Sequence, residues 1–266
     1  MVITEEGPGV GSMLRDWRLQ RRLSQLDLAL EAGVSTRHIS FIENARSTPS
    51  REMVLRLSDR LDVPLRERNR LLVAAGFAPG YGEQHLDDPG MEPVRIAIEQ
   101  VLAGHEPYPA VVVDATWELL AANAAAGVLI ELVSAPDLLA PPINVLRATL
   151  HPDGLAPHIV NLGEWRGHLL DRLRRQIALS RNPALVTLLE ELEGYPGAPH
   201  AVSAPAASEI AVPLRVRTGD GELALLSTIA TFGTAVEVTA SELSIESFFP
   251  LDEPTAAALR GRAAES

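Results

Sequence analysis

Apolar residues recur at helical spacing through the first third of the chain and in alternating runs further on, and this change of period divides the sequence. Over residues 12–22, Leu14, Trp17, Arg18 and Leu19 lie on the inward side of a predicted helix. Ser24 can cap a second helix, because its hydroxyl accepts a free amide of the opening turn. Leu26, Ala29 and Leu30 then fall on one face. Gly33 supplies a corner, since glycine takes the left-handed conformation at little cost. Val34 turns inward, Ser35 caps a third helix, and Ile39 and Ile42 lie on its inner side. Two short helices about one tight corner form a helix-turn-helix pattern, the unit that lays its second helix in the DNA major groove. Ser50 caps a fourth helix over residues 51–61, with Met53, Val54, Leu57 and Leu61 inward. Pro64 opens a fifth, which ends at Gly76. The expectation is an all-α five-helix bundle over residues 11–78, preceded by a frayed tail over residues 1–10.

Residues 79–90 are rich in glycine, proline and acid, and read as a linker. A helix over 91–103 offers Val94, Ile98, Val101 and Leu102 as a stripe for docking or dimerisation. The period then shortens. Residues 109–114 and 117–123 read as two strands joined by a turn, and Asn123 caps an alanine-rich helix. Helices follow near 143–150, 161–180 and 183–193, then a proline-rich loop over 195–205. Three strands, 210–218, 222–231 and 236–245, close the pattern as an antiparallel meander, with a hairpin turn at Gly219-Asp220-Gly221. An amphipathic helix over 253–262 ends it. The predicted second domain, residues 91–262, is α+β, with one five-stranded antiparallel sheet covered by helices on one face.

Charge changes the picture. The net charge of −12 looks wrong for a DNA-binding chain. Residues 1–78 nevertheless hold 12 arginines against 10 acids, a net +2, and the remainder 11 against 25, a net −14. Contact with nucleic acid is therefore expected of the first domain alone. All 23 basic residues are arginine, which suits bidentate contacts, although a lysine-free chain also fits a GC-rich genome. A hydrophobic fraction of 46% argues against disorder. Without cysteine, a disulfide framework or thiolate metal site is excluded. The first residues lack a basic apolar block, and the longest apolar stretch, residues 119–133, is broken by Asn123 and Glu131. The expectation is a soluble cytoplasmic protein with no membrane partner.

Leu23-Ser24-Gln25, Ala29, Gly33-Val34-Ser35, Ile39 and Ile42-Glu43-Asn44-Ala45-Arg46 together resemble the phage-repressor-like XRE (Cro/C1-type) family. The resemblance implies that Gln25 bonds a DNA phosphate, that Thr36, Arg37 and Ser40 face base edges, and that Phe41 packs on a thymine methyl. It also implies that Asn44, Arg46 and Thr48 line the phosphate backbone, and that Arg18 pairs with Glu43. Ser35, at the start of the recognition helix, joins this set, because helix-start amides and short polar side chains hold phosphates. Arginine near a recognition-helix N-terminus is the usual guanine reader. Arg37 also fits a solvated surface arginine, and Phe41 a contact with the core or the fourth helix.

The second domain resembles the ligand-binding domain of the MmyB-like transcription regulators, which has a PAS-like fold. The resemblance rests on Val113-Asp114, Trp117, Leu120-Ala121-Ala122-Asn123, Asn144-Val145-Leu146-Arg147, His151-Pro152-Asp153-Gly154-Leu155, Asn161 with Trp165, residues 226–234, and the stretch from Glu242-Leu243 to Phe248-Phe249-Pro250. It implies a bound lipophilic effector such as a fatty acid, with no other cofactor and no metal. Arg147 and His151 lie four apart and could hold a carboxylate head group, assisted by Trp117, Asn123 or Asn144. Equally, Asn144 and His151 could simply cap a helix. The partners implied are a double-stranded DNA operator, a small lipophilic ligand and a second copy of the chain, because one short recognition helix makes few contacts. Two readings compete with this one: a regulator whose second domain only dimerises and senses nothing, and an enzyme with His151 and Asp153, or His158 and His168, as its candidate groups. No nucleophile elbow, zincin motif or phosphate-binding glycine loop supports it.

Overall fold

The computed structural model describes residues 8–196, 211–219 and 221–265. Most of the proline-rich loop predicted at 195–205, together with Ile210 and Asp220, lies outside them, as does most of the predicted N-terminal tail. The chain divides into two compact units. The first comprises residues 1–84 and 234–241, and the second residues 85–233 and 242–266.

The first unit contains α1 (Val10–Gln20), α2 (Gln25–Ala32), α3 (Thr36–Glu43), α4 (Arg51–Arg60) and α5 (Leu65–Ala74). Ser24 Oγ accepts the Asp27 amide at 3.1 Å while the Asp27 carboxylate accepts the Ser24 amide at 2.8 Å, a reciprocal cap that fixes where α2 starts. Gly33 takes φ of +66° and ends it. The buried face of α2 differs from the sequence expectation. Leu28, Ala29 and Ala32 are inside, whereas Leu26 and Leu30 are 55% and 72% exposed. Gln25, Leu28, Ala29 and Ala32 form the i, i+3, i+4, i+7 stripe, and its two alanines suit close packing on α3. Leu19 is likewise exposed rather than inward. Leu14, Trp17, Ile39, Ile42, Val54, Leu57, Leu61, Leu71 and Leu72 complete one core.

Close packing extends to the backbone. A Cβ placed on Gly11 would lie 2.1 Å from the Ile42 carbonyl oxygen, so α1 touches the end of α3 directly. Gly11→Ala must push the two helices apart. We expect it to cost about 1–3 kcal/mol, the usual range for overpacking, readable as a lowered midpoint in urea unfolding.

Beyond α5, the Asn69 side chain accepts the amides of Gly80 and Tyr81 and donates to the Tyr81 carbonyl. Residues 234–241 join the same unit. The Val238 amide donates to the Gly82 carbonyl at 2.8 Å, and Glu237 accepts the Gln84 amide.

The second unit opens with α6 (Glu92–His105) and builds one sheet from β1 (Ala110–Val113), β2 (Leu119–Ala122), β3 (Leu214–Thr218), β4 (Gly221–Thr231) and β5 (Ser244–Pro250). The order is β2-β1-β5-β4-β3 and every pairing is antiparallel. Between β2 and β3 run α7 (Gly127–Ile130), α8 (Val145–Leu150), α9 (Leu162–Ser180) and α10 (Pro183–Glu193). The strand predicted at 236–245 is corrected. Residues Val238–Glu242 form a helical turn, α11, which the Glu237 carboxylate caps at the Ala240 amide, and the last strand starts at Ser244. Val236 and Val238 suggest a strand, but a local carboxylate satisfying helix-start amides decides the conformation. The final helix, α12 (Glu253–Glu265), runs past the predicted stop at 262.

Alternation along β1 places Val111 and Val113 against the main core, beneath α8, α9 and α10, and Ala110 and Val112 on the opposite face. There Ile98 and Leu102 of α6 cover them together with Leu243 and Ile245. Helices thus lie on both faces at this end of the sheet, not on one. The Ile98–Leu102 stripe is spent inside the unit, while Val101 is 44% exposed.

Candidate functional site

In the first unit, α3 presents a continuous polar face. Ser35 caps it by accepting the His38 amide at 3.2 Å. Arg37 is exposed, its guanidinium 5.0 Å from the centre of the Phe41 ring, which pre-sets the direction of a long side chain. Thr36 and Ser40 are half-buried beside it. Asn44 donates to the Ser40 carbonyl at 2.7 Å, and exposed Arg46 and Thr48 follow in the turn beyond the helix. The Gln25 amide nitrogen donates to Glu43 at 2.8 Å. Beneath this face the Arg18 guanidinium forks onto Glu43, with Nε and Nη2 at 2.7 and 2.8 Å from its two oxygens. Arg18 also donates to the Leu23 carbonyl at 2.8 Å, so one side chain braces α1, α3 and the turn before α2.

In the second unit, a largely apolar cavity of about 290 Å³ lies between the inner face of the sheet and α7, α8 and α9. Val111, Leu119, Phe248, Leu129, Leu146 and Leu169 are among its walls. Trp117 lines it and is the one predicted ligand residue that does. Asp114 accepts the amides of Thr116 and Glu118, and within this turn Trp117 is held at φ of +68°. A tryptophan there costs about 1–3 kcal/mol. Its indole N–H donates to Gln176 at 2.7 Å, and Arg172 stacks on its ring at 4.2 Å.

The other predicted ligand residues are engaged elsewhere. Asn123 accepts the amides of Ala110 and Ala126 and donates to the Tyr108 carbonyl. Asn144 caps α8 and donates to the Thr116 carbonyl at 2.9 Å. Arg147 makes a bidentate pair with Glu191 of α10, and Tyr195 donates to the same carboxylate. Arg147 holds the Glu191 carboxyl below the usual carboxylate range, and burial pushes the Tyr195 hydroxyl up to about 12. His151 follows the last residue of α8, its ring edge-on to Tyr195, so α8 does not carry it on one face with Arg147. Of the histidines read as candidate bases, burial lowers the pKa of His168, which stacks on Trp165. Among the described residues no three histidine or carboxylate groups are placed to hold a metal ion.

Two cavity residues were missed. Glu246, 5% exposed, lines the wall 3.4 Å from Arg172, and burial raises its pKa. Trp165 lines the wall with an indole N–H that has no partner among the described residues. Glu246 was legible as a polar residue in phase with Phe248, but the strand had been placed too early to show it.

The model of the MmyB-like transcription regulator ligand binding domain matches residues 94–261, and a helix-turn-helix model matches residues 14–68. The chain belongs to the MmyB-like transcription regulators. This regulator is thus a DNA-binding protein with a ligand-binding domain. Both matched families are binding modules, and neither is an enzyme family. No curated protein matches the chain. Among solved structures, an RNA-binding light-oxygen-voltage receptor aligns with 97% of this chain at 14% identity and a TM-score of 0.29. The chain spans 64% of that receptor's length. So slight a likeness bears on neither fold nor function. Among the described residues of the regulator, no helix is long and apolar enough to cross a membrane.

Proposed function

We propose that this regulator binds a lipophilic small molecule in the cavity beneath its sheet, and that occupancy governs recognition of a DNA operator by α3. The cavity carries the proposal. It is walled almost wholly by apolar side chains, and its volume of about 290 Å³ sits at the lower end of ligand pockets. That size favours a single alkyl chain, as in a fatty acid or a close relative, over a lipid with two. Native mass spectrometry of the purified protein tests this, with an added mass of a single-chain lipid expected. A protein that stays free of added mass after incubation with medium-chain lipids would defeat the reading.

On the DNA side, Thr36, Arg37 and Ser40 read bases while Gln25, Ser35, Asn44, Arg46 and Thr48 hold phosphates, with Phe41 shaping the arginine. One eight-residue recognition helix covers few base pairs, so a homodimer on paired half-sites supplies the remaining contacts. Arg37→Ala is expected to cost about 1–3 kcal/mol at one base-pair position and to relax preference there. Arg46→Ala should weaken binding to all sequences alike and lower the salt slope by about one. Competition binding across an operator library separates the two, and uniform losses for both variants would remove Arg37 from the base readers.

A further inference from the structure

The chain passes between the two compact units three times, after Gln84, after Gly233 and after Ser241. Within the second unit, every passage meets the same small apolar cluster, on the face of the sheet opposite the cavity. Leu86 follows the first passage, Phe232 precedes the second and Leu243 follows the third. All three pack with Ile98 and Leu102 of α6 and with Val112 and Ile245 of the sheet. The third passage differs from the others in having no slack. It falls inside α11, and only Leu243 separates that helical turn from β5. The first two run through turns and irregular backbone. A helix rises about 1.5 Å per residue and bonds to itself, so it does not stretch as a loop does.

Both ends of this element are engaged. At the α11 end, within the first unit, the buried Val238 donates its amide to the Gly82 carbonyl, and the Thr239 hydroxyl donates to the Gln84 carbonyl at 2.7 Å. Glu237 accepts the Gln84 amide with one carboxylate oxygen and caps α11 with the other. At the β5 end, alternation turns Glu246 and Phe248 to the cavity and Ile245 to the cluster behind the sheet. We propose that β5 and α11 act as one continuous element that reports occupancy of the cavity to the DNA-binding unit. An alkyl chain against Phe248 displaces β5. The cluster behind the strand is close-packed and passes the shift on instead of absorbing it. Through α11 the shift reaches the backbone at Gly82 and Gln84, just beyond the helical bundle. This rests on the lipophilic-effector reading above and states which part of the chain carries its consequence.

The test measures the Kd of decanoate for the full chain with and without a DNA duplex that the chain has selected from a random library. In the wild-type protein the two ligands should change each other's affinity by one common factor, on the order of tenfold. Two glycines inserted between Glu242 and Leu243 give the joint the freedom of a flexible linker, with the cavity walls and the contacts of α11 kept. Each separate Kd should then stay within about threefold of wild type while the common factor falls to about one. The same insertion between Gln84 and His85 should keep the factor. Coupling that survives the first insertion, or that the second removes as well, overturns the proposal and leaves the effector reading intact. If the inserted chains do not fold, amide hydrogen exchange of the wild-type protein decides. Decanoate should alter protection of the peptide containing Val238 by about threefold or more. No change there, while decanoate alters operator affinity, overturns the route. Decanoate bound without effect on operator affinity overturns the coupling but not the cavity, and decanoate that does not bind removes the effector reading and this inference together.

Discussion

Glu43→Ala is expected to lower the stability of the N-terminal unit by about 3–5 kcal/mol, the cost of breaking a buried ion pair from one side. The side chains of Arg18 and Glu43 are 8% and 2% exposed, so removing the carboxylate strands a guanidinium where water cannot replace its partner. Gln25 loses its acceptor in the same step. Small domains hold about 5–15 kcal/mol in total, so a large share of the folded population is at stake. Trp17, 1% exposed beside Arg18, is in the same core, and its emission reports the transition in urea. Replacing both partners, Arg18→Met with Glu43→Leu, should recover much of the loss, because an apolar pair of similar volume carries no unpaired charge. A single variant as stable as wild type would mean that the pair contributes nothing to folding.

Ala148→Phe should abolish binding of a medium-chain lipid while leaving operator binding by the unliganded protein intact. Ala148 lines the cavity from α8, and a ring there occupies space that an alkyl chain needs. Each methylene kept in water forfeits about 0.8 kcal/mol. Excluding four of them therefore removes roughly 3 kcal/mol, a loss of more than a hundredfold in affinity. Calorimetry with the variant checks this directly, and unchanged affinity would place the ligand elsewhere.

The helical core of the first unit was almost wholly legible, because caps such as Ser24, Ser35 and Ser50 and the glycine at 33 are local chemistry. Where it went astray, the phase of α2, the choice was between two leucines and two alanines. Bulk favours the leucines, whereas close approach of α3 favours the alanines. The cavity beneath the sheet was legible only as an expectation of apolar lining. Its shape depends on Trp117 in a left-handed conformation, which no pattern of residue types announces, since the Asp114 carboxylate and the surrounding turn impose it. Arg147 drew attention as a head-group anchor because its partner, Glu191, is 44 residues away in sequence. Pairing at that distance is a product of the fold. Glu246 was hidden by a different cause. Val236 and Val238 carry strand propensity, and placing the strand on them left the true last strand without its inward acid.

The eight residues 234–241 belong by packing to the first compact unit, although about 150 positions of chain separate them from Gln84. A fragment ending at Gln84 would retain every helix of the bundle yet lack Glu237 and Val238, which satisfy the Gln84 amide and the Gly82 carbonyl. The DNA-binding unit is therefore not a cassette. Swapping it into another regulator by cutting at the end of the bundle would transplant an incomplete body, and shuffling within this family is expected to succeed only where the segment before the last strand travels with it.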